Sequence, residues 1–240
     1  MTAAEISARI LTGTDDDATS PGAVAALGVV PPEVLSAINE GQELFALLTL
    51  CLETTASMTL VASTTFSTIR SSFPYFLCPL RLMIAGDRVR PATLAELDSL
   101  DESWQSTPGT PTRYVTLGFN FYAVTPQPVN DTTASLTYAR SPVQLVGDAF
   151  PEIPEQYHPS LVKFGRYRLK LKEGAQGLER GMVALNEFLD DTTAYGNYVR
   201  SKSRAARYDT LPFELKLFDR SRLIQKLNKE KRPWSSKPSA

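Results

Sequence analysis

Between Trp104 and Arg207 the local pattern of the chain changes twice, and that order limits what it can build. The run Trp104–Gln105–Ser106–Thr107–Pro108–Gly109–Thr110–Pro111 is turn-forming. It leads into Arg113–Tyr114–Val115–Thr116–Leu117–Gly118 and a β-patterned region punctuated by proline. That region closes on the proline-bounded stretch Phe150–Pro159, beyond which the pattern is helical and charged. Proline fixes its own φ and lacks a backbone N–H, so regular structure is confined to the segments between prolines. The chain must therefore combine short extended segments in its middle with long helices in its last third.

Upstream, residues 3–11 are predicted as a short helix and Thr12–Pro21 as a loop of Asp, Thr and Ser. Pro31–Pro32 opens a helix predicted over 32–54. Proline is tolerated in the first turn, and Glu33 suits the positive helix start. Val34, Ile38, Phe45, Leu48 and Leu52 give this helix an apolar face. From Met58 the period changes. Thr59–Ser67 alternates polar and apolar residues, which favours a strand. Phe73–Ile84 contains Pro74 and Pro79, which exclude a regular helix and argue against a central strand. Ala85–Gly86–Asp87 reads as a turn and Arg88–Pro91 as a short extended piece. Thr93–Leu100 reads as a helix whose Thr93 and Glu96 make a capping box. Tyr114–Val124 and Ala134–Tyr138 read as strands, joined into a hairpin across Pro126–Thr133.

Helices are predicted over 160–173 and 178–206. The first places Leu161, Phe164, Leu169 and Leu171 among five basic residues, and the second carries Leu178, Met182, Leu185 and Leu189. Charge then separates along the chain. Residues 200–240 hold twelve basic against four acidic side chains, a net +8, which leaves −9 on residues 1–199. An acidic body with a basic tail suggests an acidic partner for the tail. Lys226–Ala240 is basic and Pro-rich and is predicted to be disordered until bound. The tail also carries Phe213, Leu217, Phe218, Leu223, Ile224 and Trp234, anchors that a merely solvating tail does not need. With Arg220, Arg222, Lys231 and Arg232 they are the candidate partner-binding residues.

Catalytic and metal chemistry finds no foothold. His158 is the one histidine, and no Cys, His or carboxylate cluster of metal-ligand spacing surrounds it. Asp15–Asp16–Asp17 lacks the Gly and terminal Glu of a calcium loop, and Asp190–Asp191 reads as a solvated helix face. Gly109, Gly118, Gly174 and Gly177 form no phosphate-binding loop. Cys51 and Cys78 read as two reduced core thiols. The apolar run Leu44–Leu52 is too short to span a bilayer, and the start of the chain has no signal-peptide pattern. The expectation is a non-enzyme with no cofactor, no metal and no membrane span.

The order of these features resembles the head-to-tail adaptor (connector) proteins of tailed bacteriophages. The segments that carry the resemblance begin with Ile38–Asn39–Glu40–Gly41–Gln42–Glu43 on the early helix. Leu97–Asp98–Ser99–Leu100–Asp101 through Trp104 follow, then Gly109–Thr110–Pro111 and Pro126–Gln127–Pro128. A strand ending near Tyr138 and the approach from Pro151 to Pro159 complete the set. The resemblance implies a ring of typically twelve copies beneath the portal protein, contacting tail or nozzle proteins and passing double-stranded DNA without sequence-specific binding. It places the protein in the neck of the virion, assembled in the host cytoplasm. It makes Thr210–Ala240 an arm reaching into the portal.

The fold expected from both lines is α+β. Residues 1–209 would form a core of long antiparallel helices with a β-rich insertion at about 58–148, and residues 210–240 an extended portal-docking arm. Two other functions stay open: another neck, tail-tube or head-completion component, or a nonspecific nucleic-acid-binding protein using the basic tail.

Overall fold

The computed structural model describes residues 1–12, 30–68, 73–117, 121–173 and 175–205. Its largest assembly is a seven-stranded sheet, built from short segments scattered over the middle of the chain. The strands are β1 (Glu53–Leu60), β2 (Phe66–Thr68), β3 (Phe76–Ile84), β4 (Asp87–Pro91), β6 (Arg113–Leu117), β7 (Phe121–Thr125) and β9 (Thr132–Arg140). Their order is β1-β9-β3-β4-β6-β7-β2. Within this sheet β4 and β6 pair in parallel and the other ladders are antiparallel. Two-residue strands β5 (Pro108–Gly109) and β8 (Gln127–Pro128) form a separate small ladder.

Alternation gives this sheet two unlike faces. Met58, Leu82, Val89, Tyr114, Tyr122, Val124, Leu136 and Tyr138 all point inward into one buried cluster. Strands as far apart in the order as β1 and β7 share that cluster, so the sheet curls around its own core. The edge strands approach each other across a cleft lined by Met58 and Thr59 on one side and by Phe66, Ser67 and Thr68 on the other. Helix α3 (Leu94–Leu100) covers the outer side of β6 and β7. There Leu97 and Trp104 bury Val115 and Ala123. Thr93 caps α3, its hydroxyl accepting from Glu96 N at 3.2 Å.

A second core lies among α1 (Ala3–Thr12), α2 (Pro32–Thr49), α4 (His158–Lys170) and α5 (Ala175–Ala205). Ile38 and Phe45 of α2, Leu161 and Phe164 of α4 and Phe188 of α5 meet there. Each fully buried side chain of this size contributes about 1.5–3 kcal/mol. Gly41 and Gly165 set the spacing. A Cβ on Gly41 would lie 2.9 Å from Phe164 Cδ1, and one on Gly165 would collide with Ile10 Cδ1. Arg168 pairs with Glu40 at 2.7 Å, and Lys172 pairs with Glu33, which fixes α2 antiparallel to α4.

The expected architecture, a helical core of long antiparallel helices with an inserted β region, is therefore corrected. The molecule is sheet-rich, and the sheet has its own core. The sequence pattern misled because β1 and β9 pair residues as distant as Glu53 and Ala139, and no local pattern carries such a pairing.

Three element assignments change as well. The helix expected over 32–54 stops at Thr49. Leu50 takes a left-handed φ of 54° and donates its N–H to Ala46 O at 2.7 Å, and the chain turns into β1 at Glu53. Pro79 lies in β3, an interior strand, because the ladder to β9 shifts register between Pro79 and Arg81. The hairpin expected across Pro126–Thr133 is not formed. β7 pairs with β6 and β2, whereas β9 pairs with β1 and β3.

Candidate assembly surface

Residues 141–154 connect the sheet to α4 as a strap held almost wholly by side chains. Arg140 at the end of β9 grips Glu152 at two points, Nη1 to Oε2 at 2.9 Å and Nη2 to Oε1 at 3.1 Å. Val143 N donates to the same carboxylate at 2.8 Å. These bonds, Arg140 first, hold the Glu152 carboxyl below the usual carboxylate range. Asn39 of α2 clamps Leu145 from both sides, accepting its N–H at 2.7 Å and donating to its carbonyl at 3.2 Å. Gln42 donates to Val143 O at 2.9 Å. Asp148 accepts from Ala4 N at 2.8 Å, and Ala149 O accepts from Ala3 N at 3.0 Å. Asn39 and Gln42 belong to the early-helix segment that carried the sequence resemblance.

The strap buries Leu145 and Ile153 but turns Val143, Val146 and Phe150 outward, with Val146 83% and Phe150 67% exposed. A loop this well tethered that displays large apolar groups has the character of a contact surface. A second patch lies at the start of α5. Leu178 and Met182, one turn apart, and Val183 are exposed. The two patches are distinct. Gly181 packs against Tyr167 and Lys170 at the C-terminal end of α4, whereas the strap enters α4 at its N-terminal end. Sequence reasoning placed Leu178 and Met182 on the buried face of their helix and passed over the strap valines.

The residues that tempted a chemical reading serve the fold. His158 is buried, and its Nε2 donates to Ile153 O at 3.0 Å, since a ring nitrogen facing a carbonyl must carry the proton. Its Nδ1 then accepts from the Met1 ammonium at 3.0 Å. Burial pushes its pKa down. Asp191, read as a solvated face, instead accepts from Ser160 Oγ and Lys163 Nζ, each at 2.7 Å, and ties α5 to α4. Cys51 and Cys78 are unpaired with each other. Burial raises both thiols, Cys78 to about 11. Trp104 donates its indole N–H to Asp98 at 2.8 Å and is a core residue. Among the described residues no group of three or more His, Cys, Asp or Glu could hold a metal ion, and no helix is long and apolar enough to cross a membrane.

Phe213, Leu217, Phe218, Arg220, Arg222, Leu223, Ile224, Lys231, Arg232 and Trp234 lie outside the described residues, as does Asp15–Asp16–Asp17. The structure therefore neither gathers nor separates the arm residues.

No curated protein matches the chain. A family model described as SU10 adaptor protein matches residues 1–210, which takes in both cores, the strap and both exposed patches. The match bears out the resemblance drawn from the ordered motifs. The chain belongs to the SU10 adaptor protein family and is a structural adaptor of a bacteriophage.

Proposed function

We propose that the protein forms a ring beneath the portal, joins the capsid to the tail and continues the DNA channel. The family match over nearly the whole folded body carries this reading. Its geometry supports it. A closed ring is built from heterologous contacts, in which one patch of a subunit meets a different patch of the next. The strap patch (Val143, Val146, Phe150) and the α5 patch (Leu178, Met182, Val183) are two such unlike apolar surfaces on one chain. They form the seam between neighbours in this reading. Residues 210–240 are the portal-docking arm. Phe213, Leu217, Phe218, Leu223, Ile224 and Trp234 act as anchors, and Arg220, Arg222, Lys231 and Arg232 pair with acids of the portal. The match ends at residue 210, which supports treating the arm as an appendage to the family body.

Deleting residues 210–240 tests the docking role. The shortened chain is expected to remain folded and soluble, to fail to attach to portal-bearing heads, and to leave heads that lose DNA or acquire no tails. Particles that assemble normally with the shortened chain would refute the arm.

A further inference from the structure

The outer face of the sheet divides into three zones. At one end Leu50 covers Leu80 and Ala139. At the other, Leu97 and Trp104 cover Val115 and Ala123. Between them the strands carry half-buried and exposed side chains. The register shows which ones this strip holds. Thr55 and Thr137 share the outer face, their hydroxyls 3.0 Å apart. Arg81 pairs with Thr137, which puts it on the same face. Val89 points into the inner core, so Arg88 and Arg90 point outward, and Arg90 pairs with Arg113 across the parallel ladder. Ser57 and Ser135 pair directly and continue the strip toward the β1 edge.

The strip thus reads hydroxyl, hydroxyl, arginine, arginine, arginine across β1, β9, β3, β4 and β6. Arg88 and Arg90 are exposed, and Arg81 is half-buried. Among the described residues of these strands, Glu53 is the one carboxylate placed on this face. Glu96, from α3, pairs with Arg113 at its border. The body as a whole is acidic, with a net −9 over residues 1–199, so this concentration of arginine runs against the general charge.

We propose that this strip is a contact for the phosphate backbone of double-stranded DNA. Arginine and Ser/Thr hydroxyls are the side chains that bond phosphate and sugar oxygens without reading sequence. Strands lie about 4.8 Å apart and alternate residues about 6.7 Å apart. The guanidinium groups are therefore spread over a distance in which a duplex, with one charge per about 1.7 Å of axis, presents several phosphates. The strip carries no aromatic side chain on which an unpaired base could stack, which favours duplex over single strand. The register also places Met83 on this face, beside Arg88 and Ser135, but one methionine is not the cluster of apolar anchors that centres a protein–protein contact, which disfavours an acidic protein as the occupant. This inference deepens the channel reading by naming a surface that touches the DNA. It is tested on free protein, so each reading can fail without the other.

The full chain is titrated into fluorescent duplexes of about 20 bp of two unrelated sequences, between about 50 and 200 mM salt. The arm contributes its own salt-dependent binding, so the comparison is between slopes. Arg88→Gln/Arg90→Gln is expected to lower the slope of log affinity against log salt by about 1.8, or about 0.9 per lost phosphate contact, equally on both sequences. Arg90→Gln alone is expected to lower it by about 0.9, and Arg90→Lys to leave it unchanged. Slopes equal to wild type in both Gln variants would overturn the proposal. So would unchanged DNA binding accompanied by lost binding to poly-glutamate, which would assign the strip to an acidic protein instead.

Discussion

His158 stands where the strap enters α4, donating to Ile153 O and accepting from the Met1 ammonium. Protonation would break the second of these bonds, because Nδ1 would then meet the ammonium as a second donor, while Nε2 would go on donating to Ile153 O. Burial lowers the folded pKa below the ordinary value. A depressed folded value means that the unfolded chain binds the proton first as pH falls. The neutral ring's stabilising contribution is thus fully present above the unfolded pKa, about 6.5. It is lost as pH falls from there through the depressed folded value. His158→Gln is expected to cost about 1 kcal/mol at neutral pH through one weakened hydrogen bond, and to flatten the decline of stability below pH ~6.5. Urea denaturation of both proteins across that window measures the difference. An unchanged pH profile in the variant would show that the ring does not couple to folding. Assembly at neutral pH should persist, because the side chain touches no exposed patch.

At the scale of elements, the strap depends on Asn39 more than on any contact of its own. One amide satisfies both the N–H and the carbonyl of Leu145. Asn39→Ala leaves both groups to find water and removes one of the two acceptors of Gln42 Nε2, 3.0 Å away. The expected cost is about 1–3 kcal/mol, concentrated in the strap. Hydrogen exchange at Leu145 should accelerate far more than at Phe188 in the helical core. Uniform acceleration at both sites would mean that the strap unfolds only with the whole protein. None of this network was legible in the sequence, since Asn39 and Leu145 are 106 residues apart. What was legible was local. The start of α2 at Pro32, the Thr93 cap and the turn at Ala85–Gly86 each rest on chemistry within four residues. The failures were at the joins. The helix end at Leu50 requires a left-handed leucine that no rule anticipates. The strand through Pro79 requires a register shift supplied by β9, a partner more than fifty residues later. Of the assembly surface, the sequence marked the α5 leucine and methionine as apolar but assigned them to the core. Their spacing matches a buried stripe, and helical periodicity cannot tell a face that packs on α4 from one that waits for another subunit.

For the whole molecule, the property that bears on a ring is that the exposed apolar groups of the strap and those at the start of α5 make two unlike patches. A two-fold dimer would need only one self-complementary patch, whereas a ring needs a pair. Met182 and Val146 are both exposed, so Met182→Glu and Val146→Glu should each change stability by no more than about 0.5 kcal/mol. Each should nevertheless abolish ring assembly, because a charge would have to be buried unpaired in the seam. Mixing the two variants gives the sharper result. The Met182→Glu chain keeps a sound strap, and the Val146→Glu chain keeps a sound α5 patch. One productive contact can therefore form between them, and the complex is then blocked at both outer ends. Native mass spectrometry is expected to show monomers for each variant alone and a heterodimer, with no larger ring, for the mixture. If instead each variant alone forms homodimers, one patch is self-complementary and the seam does not join strap to α5. If the mixture stays monomeric while wild type assembles, the two patches meet other proteins of the particle, and the ring closes through a different surface.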